Sequence, residues 1–186
     1  MEYIYRNPLI ICICGKARSG KSTVSSYLYK LFTSDHKKVI VSQYTKYLKK
    51  YIEDVTGKDI LDDSKPRDLL QNYSKDIIKG ILGDKDFFIR RQIEDINFYA
   101  YFFDVIIIND VRFPMEIEEL KARFDNVLSI GVKRDNYSSD LSIDEMNDIT
   151  ETALDGYNDF DYVIYNDNID SLKSDTFKLF EDIKMR

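Results

Sequence analysis

The octapeptide Gly15–Ser22 has the residue types and the spacing of a phosphate-binding loop. Its sequence, GKARSGKS, fits the pattern G-x-x-x-x-G-K-[ST]. Glycines let the backbone curl so that successive N–H groups converge on phosphate oxygens, and the N-terminus of the following helix adds a positive field. Lys21 can then reach the β- and γ-phosphates, and the Ser22 hydroxyl can ligate Mg²⁺. The residues predicted to bind ATP are Gly15, Lys16, Ala17, Arg18, Ser19, Gly20, Lys21, Ser22 and Thr23.

An aspartate follows the second strongly apolar segment of the chain. Asp110 comes directly after the predicted strand Asp104–Asn109, whose sequence is DVIIIN. A carboxylate at the C-terminal end of a parallel strand faces the crevice where ligands of α/β proteins bind. Asp110 is therefore predicted to hold Mg²⁺ together with Ser22, and a helix-capping role is the alternative. Asp104 lies at the opposite end of the same strand.

Arginines near these residues are candidates for holding phosphate. Guanidinium groups bind two oxygens at once and suit a phosphoryl group whose charge is spread over several oxygens. Arg112, two residues after Asp110, is predicted to contact phosphate during catalysis, with a surface ion pair to the following glutamates as the alternative. Arg18 lies within the loop, and its side chain could equally contact phosphate or point into solvent. Arg67 is a weaker candidate, for an acceptor phosphate.

The elements that must position these residues alternate short apolar runs with longer amphipathic stretches, which indicates an α/β sheet with crossover helices. The predicted strands are Leu9–Cys14, Val39–Ser42, Asp104–Asn109, Asn126–Val132 and Tyr162–Tyr165. The predicted helices are Ser22–Phe32, Tyr44–Val55, Pro66–Leu82, Asp86–Phe102, Pro114–Phe124 and Ile169–Met185. We therefore predict one domain with a three-layer α/β/α fold around a five-stranded parallel sheet.

Composition excludes several other functions. A net charge of −6 over 186 residues argues against a protein whose main task is to hold nucleic acid, and no stable nucleic-acid binding is expected. No apolar run approaches the ~20 residues of a membrane span, and the N-terminus does not resemble a signal peptide, so a cytoplasmic location is expected. Cys12 and Cys14 are the only cysteines and are predicted to pack in the core. The single histidine, His36, lies in a predicted turn, which leaves no Ser/His or Cys/His catalytic set.

With these residues in hand, the chain resembles the phage-type deoxynucleoside monophosphate kinases, a branch of the P-loop nucleoside monophosphate kinases. The resemblance is strongest at IxGKARSGKS and at IINDVRFPMEIEEL, of which DVRFP after the apolar strand is the most specific. The stretch KPRDLLQNYSKDIIKGILGDKDFF resembles the family's acceptor-binding region, and DYVIYNDNIDSL is weakly similar to its last strand and helix.

This resemblance implies a set of further roles. Arg67, Gln71 and Lys49 would bind a nucleoside or deoxynucleoside monophosphate acceptor, together with Arg112. A helical insertion over about 44–103 would form the acceptor site. Residues of about 133–150 would form a short lid in which Arg134 reaches the triphosphate. The expected reaction is ATP-dependent phosphorylation of the monophosphate to the diphosphate, and a homodimer is left open.

The chain also departs from the family pattern, mainly on the acceptor side. Lys46 stands where an A-D-x-L-K motif has aspartate, Met115 replaces an asparagine, and Ile149–Thr152 (ITET) does not match an H-x-S-E motif in register. A P-loop kinase for another phosphorylated metabolite, such as dephospho-coenzyme A or phosphomevalonate, is the nearest alternative. A regulatory ATPase or nucleotide switch is the other, although no N-K-x-D motif for a guanine base occurs.

Overall fold

A computed structural model describes residues 3–57, 70, 72–84, 86–134 and 146–185 of the chain. Five parallel strands form one sheet in the order β2-β3-β1-β4-β5. The strands are β1 (Leu9–Cys14), β2 (Val39–Ser42), β3 (Val105–Val111), β4 (Val127–Lys133) and β5 (Tyr162–Tyr165). The predicted α/β class, strand number and parallel arrangement are therefore confirmed.

Helices cover both faces of this sheet. They are α1 (Lys21–Ser34), α2 (Lys46–Thr56), the π-helical α3 (Tyr73–Ile81), α4 (Phe87–Tyr99), α5 (Pro114–Arg123), α6 (Ile149–Thr152) and α7 (Ile169–Lys184). Alternate residues of β1 point to opposite faces, as strand geometry requires. Ile11 and Ile13 pack in a core with α1 and α7, whereas Ile10, Cys12 and Cys14 pack in a second core with α4 and α5.

A third, smaller cluster lies among the helices between β2 and β3. Leu48, Ile52, Ile78 and Phe87 bury their side chains against one another, so α2, α3 and the start of α4 share a core of their own. These helices fall in the segment predicted to bind the acceptor. The predicted helix Pro66–Leu82 is described only in its second half, and the segment predicted as a lid is described only at its two ends.

One strand is longer than the sequence pattern predicted. Strand β3 continues past Asn109 to Val111, because its pairing with β1 shifts between the pairs Cys12–Ile108 and Cys14–Val111. The shift inserts an extra residue into β3, which is a β-bulge, and bulges redirect side chains at the ends of strands. Asp110 therefore lies inside the strand rather than after it.

The termini of two helices also differ in detail from expectation. Gly57 ends α2 with a φ of 66°, the left-handed conformation expected of glycine there. Asp86 precedes α4 as predicted, but its side chain makes no capping hydrogen bond. Within the described residues, none of the helices combines the length and the apolar character needed to span a bilayer.

Candidate active site

The loop Gly15–Ser22 joins the C-terminal end of the central strand β1 to the first turn of α1. Gly15 and Gly20 have φ values of 145° and 109°, which L-residues with a side chain rarely adopt. A Cβ on Gly15 would lie 2.4 Å from the Val132 carbonyl oxygen, and one on Gly20 would lie 2.6 Å from Asn166 Nδ2. Both glycines of the motif are thus required by backbone conformation and by close packing.

The loop has the polar groups that a bound phosphate would need. Ser19 is buried, and its hydroxyl oxygen has no hydrogen-bond partner in the described part of the chain. Lys21 is 8% exposed, and its Nζ donates to the carbonyl oxygens of Gly15 at 2.7 Å and Lys16 at 2.6 Å. The buried hydroxyl of Ser19 and the ammonium group of Lys21 therefore suit a bound phosphoryl group.

Lys21 is a buried cation with a strongly perturbed pKa. Burial, followed by the charge of the nearby Arg112, lowers the pKa of its ammonium group from 10.5 to about 7. Glu151 and Asp110 act in the opposite direction. Because the ammonium form is penalised by desolvation, an anion bound beside it restores its charge.

Asp110 is held against the beginning of α2. Its two carboxylate oxygens accept hydrogen bonds from the backbone N–H groups of Tyr44 at 2.8 Å and Thr45 at 3.2 Å, and from the Thr45 hydroxyl at 2.8 Å. These bonds attach Asp110 to the two residues that precede α2. Its role toward Mg²⁺ with Ser22 stays a prediction. Asp104, at the other end of β3, pairs with Arg6 at 2.9 Å.

Arg112 is positioned through its backbone by a buried glutamate of α5. Glu116 Oε2 accepts hydrogen bonds from the N–H groups of Arg112 at 2.7 Å and Phe113 at 3.0 Å. The Arg112 guanidinium points instead to α6, where it pairs with Glu151 at 2.8 Å and donates to the Thr150 carbonyl oxygen at 3.3 Å. The partner of Arg112 is therefore not one of the glutamates that immediately follow it on the exposed side of α5.

Glu151 is the residue of this site that the sequence pattern did not identify. Its Oε1 pairs with Arg112, and its Oε2 accepts a hydrogen bond of 2.6 Å from the backbone N–H of Ala17 within the loop. Four residues later, Asp155 pairs with the side chain of Lys16 at 2.8 Å. The sequence signal for Glu151 was weak, because the segment ITET contains a glutamate but does not align in register with the H-x-S-E motif.

A pocket of about 400 Å³ adjoins the loop, and Lys21 is among its lining residues. Arg18, Ser22, Thr23 and Arg134 contribute to its wall, as do the β5–α7 turn residues Asn166, Asn168 and Ile169. Arg134 Nη1 donates to the Arg18 carbonyl oxygen at 3.5 Å, so these two predicted ATP contacts are neighbours. Asn166, which the sequence analysis did not single out, donates from Nδ2 to the Ser19 carbonyl oxygen at 2.8 Å.

The predicted acceptor residues are only partly described. The Lys49 ammonium group donates to Gln43 Oε1, and Gln43 Nε2 donates to Asn109 Oδ1 at 3.0 Å, which brings Lys49 to the carboxyl end of β3. Lys46, which stands in place of an aspartate, pairs with Asp95 at 2.5 Å. Arg67 and Gln71 lie outside the described residues.

Solved structures with the same fold include kinases. The chain is similar to shikimate kinase from Aquifex aeolicus, with 14% identity over 95% of this chain and 99% of that one and a TM-score of 0.52. It is similar to the protein APE1195, with 14% identity over 99% of this chain and 98% of that one and a TM-score of 0.51. No protein-family model and no curated protein matches the sequence. The chain therefore shares the α/β fold of these structures, and the similarity extends to the fold alone.

Proposed function

We propose that the chain transfers the γ-phosphoryl group of ATP to a nucleoside or deoxynucleoside monophosphate. The observation that carries the proposal is the convergence of Lys21, Arg112 and the loop amides at the carboxyl end of the central strands. Arg112 is close enough to Lys21 to help lower the pKa of its ammonium group. Two cations held side by side repel each other, and an anion that binds between them offsets the cost of this repulsion.

Each residue of the loop has a distinct part in the proposed reaction. Lys21 would bind the β- and γ-phosphates in place of its two carbonyl partners, and Ser22 and Asp110 would hold Mg²⁺. The metal neutralises phosphate charge when it is bound. Arg18, Arg134 and Thr23 line the pocket beside the loop, which provides space for the nucleoside part of ATP. Catalysis then rests on positioning and charge neutralisation.

The acceptor is proposed to be a phosphate because cations, rather than a free carboxylate base, surround the transfer path. Transfer to a hydroxyl is commonly assisted by a carboxylate near the acceptor, whereas transfer to a phosphate brings two anions together and calls for arginine or lysine between them. Asp110, the described carboxylate at the carboxyl end of β3, is already hydrogen-bonded to Tyr44 and Thr45. Lys49 and Arg67 are the further cations proposed for the acceptor side.

The domain organisation is part of the same proposal. Residues of about 44–103 would form the acceptor-binding insertion, consistent with the separate core shared by α2, α3 and α4. Residues of about 133–150 would form the lid that carries Arg134. Closure of the two over the ligands would exclude water and suppress hydrolysis of ATP.

A coupled assay of ADP release over a panel of acceptors tests the proposal. The panel contains the common nucleoside and deoxynucleoside monophosphates, the unphosphorylated nucleosides, dephospho-coenzyme A, phosphomevalonate and shikimate, with and without Mg²⁺. We expect at least one deoxynucleoside monophosphate to exceed every unphosphorylated nucleoside, and turnover to require Mg²⁺. Hydrolysis of ATP independent of any acceptor, or transfer only to one of the other metabolites, would refute the assignment.

Arg67 provides a test of the acceptor side. We expect Arg67→Gln to raise the acceptor KM at least about tenfold, a loss near 1.4 kcal/mol of binding, while the KM for ATP changes little. Arg90→Gln is the matched control, because Arg90 pairs with Asp84 on the exposed surface of α4. Equal effects of the two substitutions would show that Arg67 has no specific contact with the acceptor.

A further inference from the structure

Glu151 makes the contacts that an anionic ligand of the loop would make. One carboxylate oxygen receives the Ala17 N–H at 2.6 Å, and the other pairs with Arg112 at 2.8 Å. A backbone amide of a glycine-rich loop and an adjacent guanidinium group are the donors by which proteins recognise phosphoryl oxygens. The Glu151 carboxylate thus accepts from two donors of the kind that bind phosphate.

Glu151 is largely buried, and contacts on both sides of it along the chain hold its position. Its side chain is 9% exposed. The short helix α6 that carries it is capped by Asp148, whose Oδ1 accepts from the Thr150 N–H at 2.8 Å and the Thr150 hydroxyl at 2.6 Å. After α6, Asp155 pairs with Lys16 of the loop at 2.8 Å. Two carboxylates from one segment are therefore attached to the loop.

We propose that Glu151 occupies an anion subsite of the loop in the ligand-free chain, and that a phosphoryl group of the ligand replaces it on Ala17 and Arg112. The inference rests on the proposed function and deepens it, because it assigns the phosphoryl group nearest Arg112 to this subsite. A carboxylate and a phosphate cannot share the same two donors, since their like charges repel at that distance. Glu151 is thus an internal competitor of the ligand, and its release frees Arg112 for the transferred group.

Removal of this charge should tighten binding. We expect Glu151→Gln to lower the Kd for ATP and for inorganic pyrophosphate, measured by calorimetry without any acceptor, by about fivefold or more, the lower end of typical coupling energies between two ligands of one protein. Asp155→Asn is the matched control, since it removes the same charge from the same segment but from an exposed pair. Its effect should be clearly smaller, and a thermal melt verifies that both variants are folded.

A measurement on the unaltered chain gives an independent test. Amide hydrogen exchange should rise over residues 149–155 and fall at the loop when pyrophosphate saturates the protein, because α6 loses its attachment to Ala17 and Arg112. Increased protection of 149–155 under the same conditions would overturn the inference, and so would unchanged or weaker binding in Glu151→Gln. Either result would make Glu151 a residue that positions Arg112 throughout the reaction.

The two probes separate this inference from the proposed function. If pyrophosphate binds more tightly to Glu151→Gln while no acceptor is phosphorylated, the anion subsite stands and the kinase assignment fails. If ATP is turned over on a monophosphate but binds no more tightly to the variant, the assignment stands and the subsite fails. If neither ATP nor pyrophosphate binds to either protein, both are wrong.

Discussion

Lys21 is a buried cation whose hydrogen-bond acceptors in the folded chain are neutral. Its ammonium group is bound to the carbonyl oxygens of Gly15 and Lys16, neutral groups that do not offset its loss of hydration, so its pKa falls to about 7. Phosphate oxygens would be stronger partners than these carbonyls. Burial of the Lys21 ammonium group is therefore unfavourable in the chain alone, and a bound phosphate would offset that cost.

We predict that Lys21→Met lowers kcat by about 10²-fold or more, because one preorganised charge donor is removed. The folded state should survive, since the substitution replaces a buried, partly desolvated ammonium group by an apolar side chain of similar length. Steady-state kinetics with the preferred acceptor and a thermal melt provide the measurement. Unchanged turnover with a normal melt would show that the loop is not the catalytic phosphate site.

The two aspartates at opposite ends of β3 offer a second prediction at the same scale. Asp110→Asn should reduce Mg²⁺-dependent turnover far more than Asp104→Asn, because only Asp110 lies at the carboxyl end of the strand, beside the loop. Asp104→Asn should act on stability alone, through its bonds to Arg6 and to the Lys38 N–H. Titration of turnover with Mg²⁺ is the measurement, and equal effects of the two changes would contradict the assignment of Asp110.

At the scale of the elements, the sequence predicted most of what can be recognised from local patterns. Strands β1, β2 and β5 have the predicted bounds, because each is an apolar run with turn residues on both sides. The bulge at the end of β3 was not predictable, since it arises from pairing with β1. For the same reason the sequence could not reveal Glu151, which reaches the loop from 134 residues away along the chain.

The packing of β4 against the segment before β5 yields a prediction about a single element. A Cβ on Gly131 would lie 2.9 Å from Cδ2 of Phe160, a ring that itself packs against Tyr157 with centroids 4.8 Å apart. We expect Gly131→Ala to destabilise the fold by about 1–3 kcal/mol, the usual cost of overpacking a core. Urea denaturation measures the change.

Gly156→Ala is the control for that substitution. A Cβ on Gly156 would meet no atom within 4 Å, and no left-handed φ is recorded there. The control should therefore be neutral or stabilising by up to about 1 kcal/mol, through the lower entropy of the unfolded chain. If the two glycine variants melted alike, the contact between β4 and Phe160 would not be a tight one.

At the scale of the whole molecule, the central strand carries its two thiols into the core. Cys12 and Cys14 are fully buried beside α5, and burial raises the pKa of Cys12 to about 12 and that of Cys14 well above 9.0. Burial likewise raises the pKa of the Tyr44 hydroxyl well above 10.0. In the folded chain these groups stay protonated at pH values where the unfolded chain ionises.

The two thiols should consequently make an increasingly unfavourable contribution to stability as the pH rises above 9. Each thiol releases its proton in the unfolded chain at a pKa near 9.0 but keeps it in the folded chain, so the unfolded state binds fewer protons and is favoured by alkali. One pH unit above the unfolded pKa, each thiol contributes a loss of about 1.4 kcal/mol. Together the thiols should contribute a loss of about 3 kcal/mol between pH 8 and pH 10. The buried Lys21, whose pKa is about 7 in the folded chain, contributes in the opposite direction over this range, so the thiol contribution is measured against a variant without the thiols.

Urea denaturation of the unaltered chain and of a Cys12→Ala/Cys14→Ala variant between pH 8 and pH 10 tests this linkage. The variant starts from a lower stability because two buried sulfur atoms are lost, but relative to the unaltered chain its stability should gain with rising pH, since the two buried thiols no longer titrate while Lys21 and Tyr44 are common to both proteins. A thiol reagent should likewise leave the folded chain unlabelled and modify both cysteines after unfolding, because the reactive form is the thiolate. Parallel pH profiles for the two proteins, or rapid labelling of the folded chain, would show that β1 does not hold its thiols in a dry core.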